Sequence, residues 1–253
     1  GYGGVQRDLL LLQRLARERG LLWAEDAAHG LFARQHGRAL GTVGALGALS
    51  FHATKNVTCG EGGALVLNDP ALRERAEILR EKGTDRARFL RGEVSAYRWQ
   101  DVGSSYLPSE LLGALLCAHL EHADVTQAAR HAVVSVYADV FGRAAPRLGL
   151  TLQATPEGAL PPAHLFGVLL PPGVDRAAVV ATLRERGVIV ASHYEPLHAA
   201  PAARACAAPA HLPVTDDVAG RLLRLPLHPG ITVDDARTIA AAFVDVVERA
   251  ARA

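Results

Sequence analysis

The chain has 253 residues, 49% of them hydrophobic, enough to bury a core in one large domain or two smaller ones. Its 27 basic and 26 acidic residues nearly cancel and no basic block stands out, which argues against nucleic acid as a partner. The three cysteines, Cys59, Cys117 and Cys206, form no CxxC pair and no metal-ligand set, so no metal is expected, and no run predicts a signal peptide or a membrane span. Odd, scattered cysteines fit a reducing, cytoplasmic setting better than a disulfide scaffold. The sequence lacks methionine and opens with "GYGG" directly before a helical pattern, as expected of a piece of a longer product.

Residues 5–20, "VQRDLLLLQRLARERG", place apolar residues at helical spacing and end on Gly20, a natural helix terminator. "LLWAE" (21–25), "GALSF" (47–51) and "GALVLND" (63–69) read as short buried strands. Asp69 then caps a helix with Pro70 at its first position; Leu72, Ala76 and Leu79 line one face and Gly83 ends it. Helix and strand therefore alternate, which argues for an α/β sheet with helical crossovers. Residues 84–107 are charged and irregular and read as a long loop. From Pro108 to about Gly142 the pattern is helical. Beyond it, "AHLFGVLLP" (163–171) and "VIVASHY" (188–194) read as strands around a helix at 174–187. Two more helices follow, the last opening on a Thr232/Asp235 capping box. A domain boundary is expected near 123, giving a partial large domain at 1–123 and a smaller one at 124–253.

Chemistry-bearing residues cluster early. Asp26 stands at the carboxyl end of a predicted strand, where ligands bind in open α/β sheets. A carboxylate there suits a protonated pyridine nitrogen, or it merely caps the next turn. His29 follows in the same turn, fit either to touch a ligand ring or to serve structure. Lys55 follows the next strand; burial and nearby positive charge would lower its pKa enough for the amine to attack an aldehyde. Ser50 fits a phosphate contact or a hydrogen bond at the strand end. Glycines at 60, 62 and 63, and at 41, 44 and 47, permit close backbone approach, though "GTVGALG" is not a dinucleotide fingerprint.

The runs "EDAAHG", "GRALGTVGALGALSFHATKN" and "EGGALVLND" resemble the DegT/DnrJ/EryC1/StrS sugar aminotransferases. The likeness continues through 80–114, which is similar to the branch that aminates a dTDP-linked 4-keto-6-deoxysugar. It extends to "HYEPLH" (193–198) and "RLLRLPLHP" (221–229). The resemblance implies a fold type I pyridoxal 5'-phosphate transferase: a truncated large-domain sheet plus a smaller α+β C-terminal domain. It implies that Lys55 holds the cofactor aldehyde covalently and acts as the catalytic lysine. Asp26 would pair with the pyridine nitrogen, His29 would stand near the ring and Ser50 would contact the phosphate. It further implies an amino-acid donor (glutamate), a nucleotide-sugar acceptor, a homodimer when full length, and a role in polysaccharide precursor synthesis. Dehydratase relatives carry histidine in place of the lysine, so Lys55 favours transamination. Tyr106 lies in a segment that family dimers use near the active site, and packs there equally well. Family chains also have a long N-terminal portion, with early strands, a phosphate turn and a stacking aromatic, that is absent here. The 253 residues alone are therefore expected to hold the cofactor weakly, and a silent truncated or dimerising module is the alternative reading.

Overall fold

A computed structural model of the chain describes residues 1–6, 8–206 and 211–252. Arg7, inside the predicted 5–20 helix, lies outside the described residues. The elements are α1 (Leu9–Arg19), β1 (Ala24–Asp26), β2 (Arg34–Gln35), β3 (Arg38–Ala39), β4 (Leu46–Ser50), β5 (Gly63–Leu67), α2 (Arg73–Arg80), α3 (Arg86–Leu90), α4 (Glu110–Glu121) and α5 (Ala123–Leu148). They continue with β6 (Thr151–Leu152), β7 (Ala159–Leu160), β8 (Gly167–Leu169), α6 (Arg176–Glu185), α7 (Pro201–Cys206), α8 (Pro213–Arg221), β9 (Leu222–Arg224) and α9 (Val233–Ala250). The chain divides into two compact units, residues 1–124 with 155–162, and residues 125–154 with 163–253.

In the first unit, β1 pairs parallel with β4, and β4 pairs antiparallel with β5, Ser50 facing Gly63. Gly20 ends α1 at φ +60, the left-handed turn a glycine allows without a Cβ clash. The expected strand over 21–25 shortens and shifts to Ala24–Asp26, and Leu21 and Leu22 are exposed rather than buried. β5 is likewise only half-buried, with Leu65 on the open face. Asp69 does cap its helix, accepting from the Ala71 nitrogen at 2.9 Å, through a 3-10 turn before α2. The segment read as an irregular loop is closed by bridges Glu81 to Ser105 and Thr84 to Trp99, and contains α3. Its anchor is the buried Asp85 carboxylate, which accepts from the Arg98 nitrogen at 2.6 Å and the Gln100 amide at 2.9 Å. Patterning gave no sign of the small antiparallel sheet β3-β2-β7, because its strands are two residues long. It brings residues 155–162 back onto Arg34 and Gln35.

In the second unit, the antiparallel sheet β6-β8-β9 shares one buried core with α6 and α9, through Val168, Leu223, Leu183 and Phe243. Tyr137, Phe141 and Phe243 are fully buried, the last two edge-to-face at 5.3 Å. The Tyr137 hydroxyl donates to the Pro226 carbonyl at 2.8 Å, so this buried polar tip is satisfied. The Thr232/Asp235 capping box opens α9 as the sequence predicts. The expected strand 188–194 is reduced to a single bridge, Ala191 to Arg224. The long helical stretch breaks at His122, between α4 and α5, and runs on to Leu148 through Pro146.

Candidate functional site

The parallel pairing of β1 with β4 decides the geometry. Asp26 lies opposite Ala48, and the Ala27 nitrogen donates to the Ala48 carbonyl at 2.9 Å. Both strands therefore end on the same side. Asp26 closes β1, Ser50 closes β4 two residues past Ala48, and Lys55 follows in the next loop. That loop is closed at its base, where Ala53 N donates to the Gly60 carbonyl at 2.7 Å and Cys59 N to the Phe51 carbonyl at 3.0 Å. Gly60, at φ +87, supplies the left-handed turn that lets the chain double back.

Three of the four predicted residues have a defined setting at these strand ends. Asp26 is exposed, with one oxygen accepting from the Ala28 nitrogen at 3.0 Å. Lys55 is half-buried, and burial pulls its pKa below the ordinary lysine value; the nearby negative charge of Asp26 opposes that by favouring the ammonium. Ser50 accepts from the His52 nitrogen at 3.3 Å, which leaves its hydroxyl proton to donate elsewhere. The fourth, His29, sits in the turn after β1. Its Nδ1 accepts from the Gly3 nitrogen at 3.1 Å, so Nε2 carries the proton of the neutral ring, and Tyr2 stacks edge-on at 5.1 Å. Tyr106, by contrast, is 70% exposed.

Sequence reasoning missed the residues that hold this site in place. Glu25 is 2% exposed, and its carboxylate accepts from the nitrogens of Gly41 (2.9 Å), Val43 (2.5 Å) and Gly44 (2.7 Å). From the other side, the Asn68 amide donates to the carbonyls of Gly41 (2.9 Å) and Gly44 (2.8 Å). The 41–44 loop is thus fixed against β4, and Gly47 packs so close to Gly41 that a Cβ would fall inside its backbone. The glycine spacing was visible; the buried carboxylate that needs those amides was the available clue. Among the described residues, no group of three or more His, Cys, Asp or Glu comes together to hold a metal, and no helix is long and apolar enough to cross a membrane.

The model of the DegT/DnrJ/EryC1/StrS aminotransferase family matches residues 1–244. The chain belongs to that family. It is 30% identical over 253 residues to dTDP-4-dehydro-2,3,6-trideoxy-D-glucose 4-aminotransferase of Saccharopolyspora spinosa, covering 98% of this chain and 64% of that one. It is 31% identical over 249 residues to dTDP-3-amino-3,4,6-trideoxy-alpha-D-glucose transaminase of Streptomyces venezuelae, covering 97% and 62%. Among solved structures, S. venezuelae DesV in complex with a ketimine intermediate superposes at a TM-score of 0.84 with 31% identity, covering 98% of this chain and 64% of that one. The fold is therefore that of the fold type I aminotransferases. This member of the family spans just under two thirds of the length of the curated relatives it matches.

Proposed function

We propose that this chain carries the lysine-bearing part of a pyridoxal-phosphate-dependent sugar aminotransferase. In this reading an amino group passes from glutamate to the keto carbon of a dTDP-linked 4-keto-6-deoxysugar, a step in polysaccharide precursor synthesis. The observation that carries it is the convergence of Asp26 and Lys55 at neighbouring parallel strand ends, with the lysine's proton affinity lowered by burial. The donor set fits the cofactor: a carboxylate for a ring cation, an amine for an aldehyde, and a hydroxyl for a phosphate. Asp26 and Lys55 would hold the two ends of the ring system, Ser50 its phosphate, and His29 would stand near the ring. The cofactor, when bound, supplies an aldehyde and an electron-withdrawing ring.

The residues' own chemistry follows. Burial raises the fraction of Lys55 present as free amine, the form able to attack an aldehyde. Lys55 Nζ would be the group placed to take a proton from the donor α-carbon and to return it as general acid. Asp26, acceptor-only while ionised, favours a proton held opposite it throughout. Lysine rather than histidine at position 55 supports transamination over dehydration.

The two curated relatives aminate different ring positions by name, 4 and 3, at nearly equal identity. Position 4, and within it a dTDP-4-amino-4,6-dideoxygalactose product, is proposed on the likeness of residues 80–114. A homodimer is also part of the proposal; the exposed Leu111, Leu115 and Leu120 on α4 support it.

The test is borohydride reduction with pyridoxal phosphate, which traps even weak occupancy, followed by peptide mapping. Lys55 and Lys82 are the only lysines, so peptide mapping has two side chains to tell apart, and the label is expected chiefly on Lys55. Label on Lys82 alone would end the assignment. Turnover with glutamate and a dTDP-4-keto-6-deoxysugar, with product NMR, then decides the ring position.

A further inference from the structure

The base of the 51–62 loop is tied by backbone bonds, and its tip bears Lys55. The Lys55 nitrogen donates to the His52 carbonyl at 2.9 Å, and Val57 is buried. The neighbouring Asn56 reaches 106 residues along the chain: its Nδ2 donates to the Pro162 carbonyl at 2.6 Å. Pro162 has no N–H, so its carbonyl is the only backbone hydrogen-bonding group it can offer. It is also rigidly placed. β7 pairs with β2 just before it, and Gly4, at φ +75, packs so tightly beneath the Pro162 ring that a Cβ has no room. The same N-terminal turn supplies the Gly3 nitrogen to His29. One platform therefore steadies both the Lys55 loop and the His29 ring.

We propose that Asn56 is a positioning residue for Lys55, its amide docking the lysine-bearing loop tip onto the Pro162 carbonyl. The function needs a donor, not merely the shape of asparagine. An aspartate of the same size presents only acceptor oxygens to a carbonyl, and alanine presents nothing. Glutamine keeps the donor on a stem one carbon longer. The proposal rests on the reading of Lys55 as the cofactor-bearing lysine, and two measurements keep them apart.

The 253-residue chain and its Asn56→Ala, Asn56→Asp and Asn56→Gln variants are treated with pyridoxal phosphate and borohydride, and the label is partitioned between Lys55 and Lys82. In parallel, without any cofactor, the pH dependence of Lys55 acetylation by acetic anhydride is followed by peptide mass spectrometry. The expected result is that Ala and Asp lower the Lys55 to Lys82 label ratio about fivefold, the equivalent of one net hydrogen bond of ~1 kcal/mol. Both should move the acetylation profile to higher pH, as the lysine gains water. Gln should stay within about twofold of the parent, since it still donates. Unchanged ratio and profile in folded Ala and Asp variants would overturn the proposal, as would a Gln variant as impaired as Asp. If the parent chain labels only Lys82, the cofactor reading of Lys55 fails, while the acetylation profiles still decide whether Asn56 places that lysine.

Discussion

Replacing Glu25 by glutamine removes one charge and almost no volume, and it isolates what that buried carboxylate does. One oxygen accepts from Val43 and Gly44, the other from Gly41. Glutamine offers a single acceptor oxygen. Placed where it still serves Val43 and Gly44, it turns its NH2 toward the Gly41 N–H and strands that donor. A stranded buried donor costs about 1–3 kcal/mol, and the two surviving bonds lose their charge assistance, ~1 kcal/mol more. The expected loss is therefore about 2–4 kcal/mol, read by urea unfolding. Amide hydrogen exchange gives a local check, since Gly41, Val43 and Gly44 should lose protection while the Tyr137–Phe243 core keeps it. Asp26→Asn is the control: that carboxylate is exposed and accepts from the Ala28 nitrogen, so it should move stability by less than ~0.5 kcal/mol. If Glu25→Gln were as mild as Asp26→Asn, and the three amides stayed protected, the carboxylate would not be what holds the 41–44 loop.

The other expectations are briefer. In an active preparation, Asp26→Asn should slow the chemical step by several kcal/mol while cofactor binding suffers less, as single-turnover and binding measurements would separate. Gly47→Ala should abolish or severely weaken folding of the first unit, because the added methyl meets the Gly41 backbone, which cannot rotate away; a normal thermal transition would contradict this. Tyr137→Phe should cost about 1–2 kcal/mol in denaturant unfolding by orphaning the Pro226 carbonyl, well below the ~3–5 kcal/mol of Phe243→Ala. The Arg98 N–H, then the Gln100 amide, holds the Asp85 carboxyl below the ordinary 3.8. Its contribution is thus complete above that value and is lost as pH falls through the lower folded value, so the protection of the Arg98 amide, taken relative to its intrinsic exchange rate at each pH, should fall only in acid.

How much of this was legible depended on whether a residue's partner lay nearby in sequence. Caps were readable because their partners sit two to four residues away: Gly20, Asp69 and the Thr232/Asp235 box all behave as their local chemistry demands. Strand extents were not. "LLWAE" and "VIVASHY" are apolar enough to form strands, yet Leu21 and Leu22 are left exposed and 188–194 makes one bridge. Apolar composition signals burial, whereas a strand also needs a neighbour with free backbone groups, and that is a tertiary property. The β2–β7 pairing, across more than a hundred residues, has no local signature at all.

The candidate site divides along the same line, and β1 shows why. In a strand, successive side chains point to opposite faces, so two adjacent carboxylates cannot share an environment. Glu25 turns inward and is consumed by three backbone amides; Asp26 turns outward to the strand ends, where its charge reaches Lys55. Sequence reading singled out the second, because an acid at a strand's carboxyl end has a chemical use that can be named. It passed over the first, whose use appears only once a loop sixteen to nineteen residues later folds back over it. Yet the outward acid depends on the inward one. Glu25 and Asn68 fix the 41–44 loop, that loop presses Gly41 against Gly47, and Gly47 sits in the strand pairing that brings Asp26 beside the chain leading to Lys55. The reactive pair was legible as chemistry, while its precision comes from uncharged amides and missing Cβ atoms, which carry no functional label in a sequence.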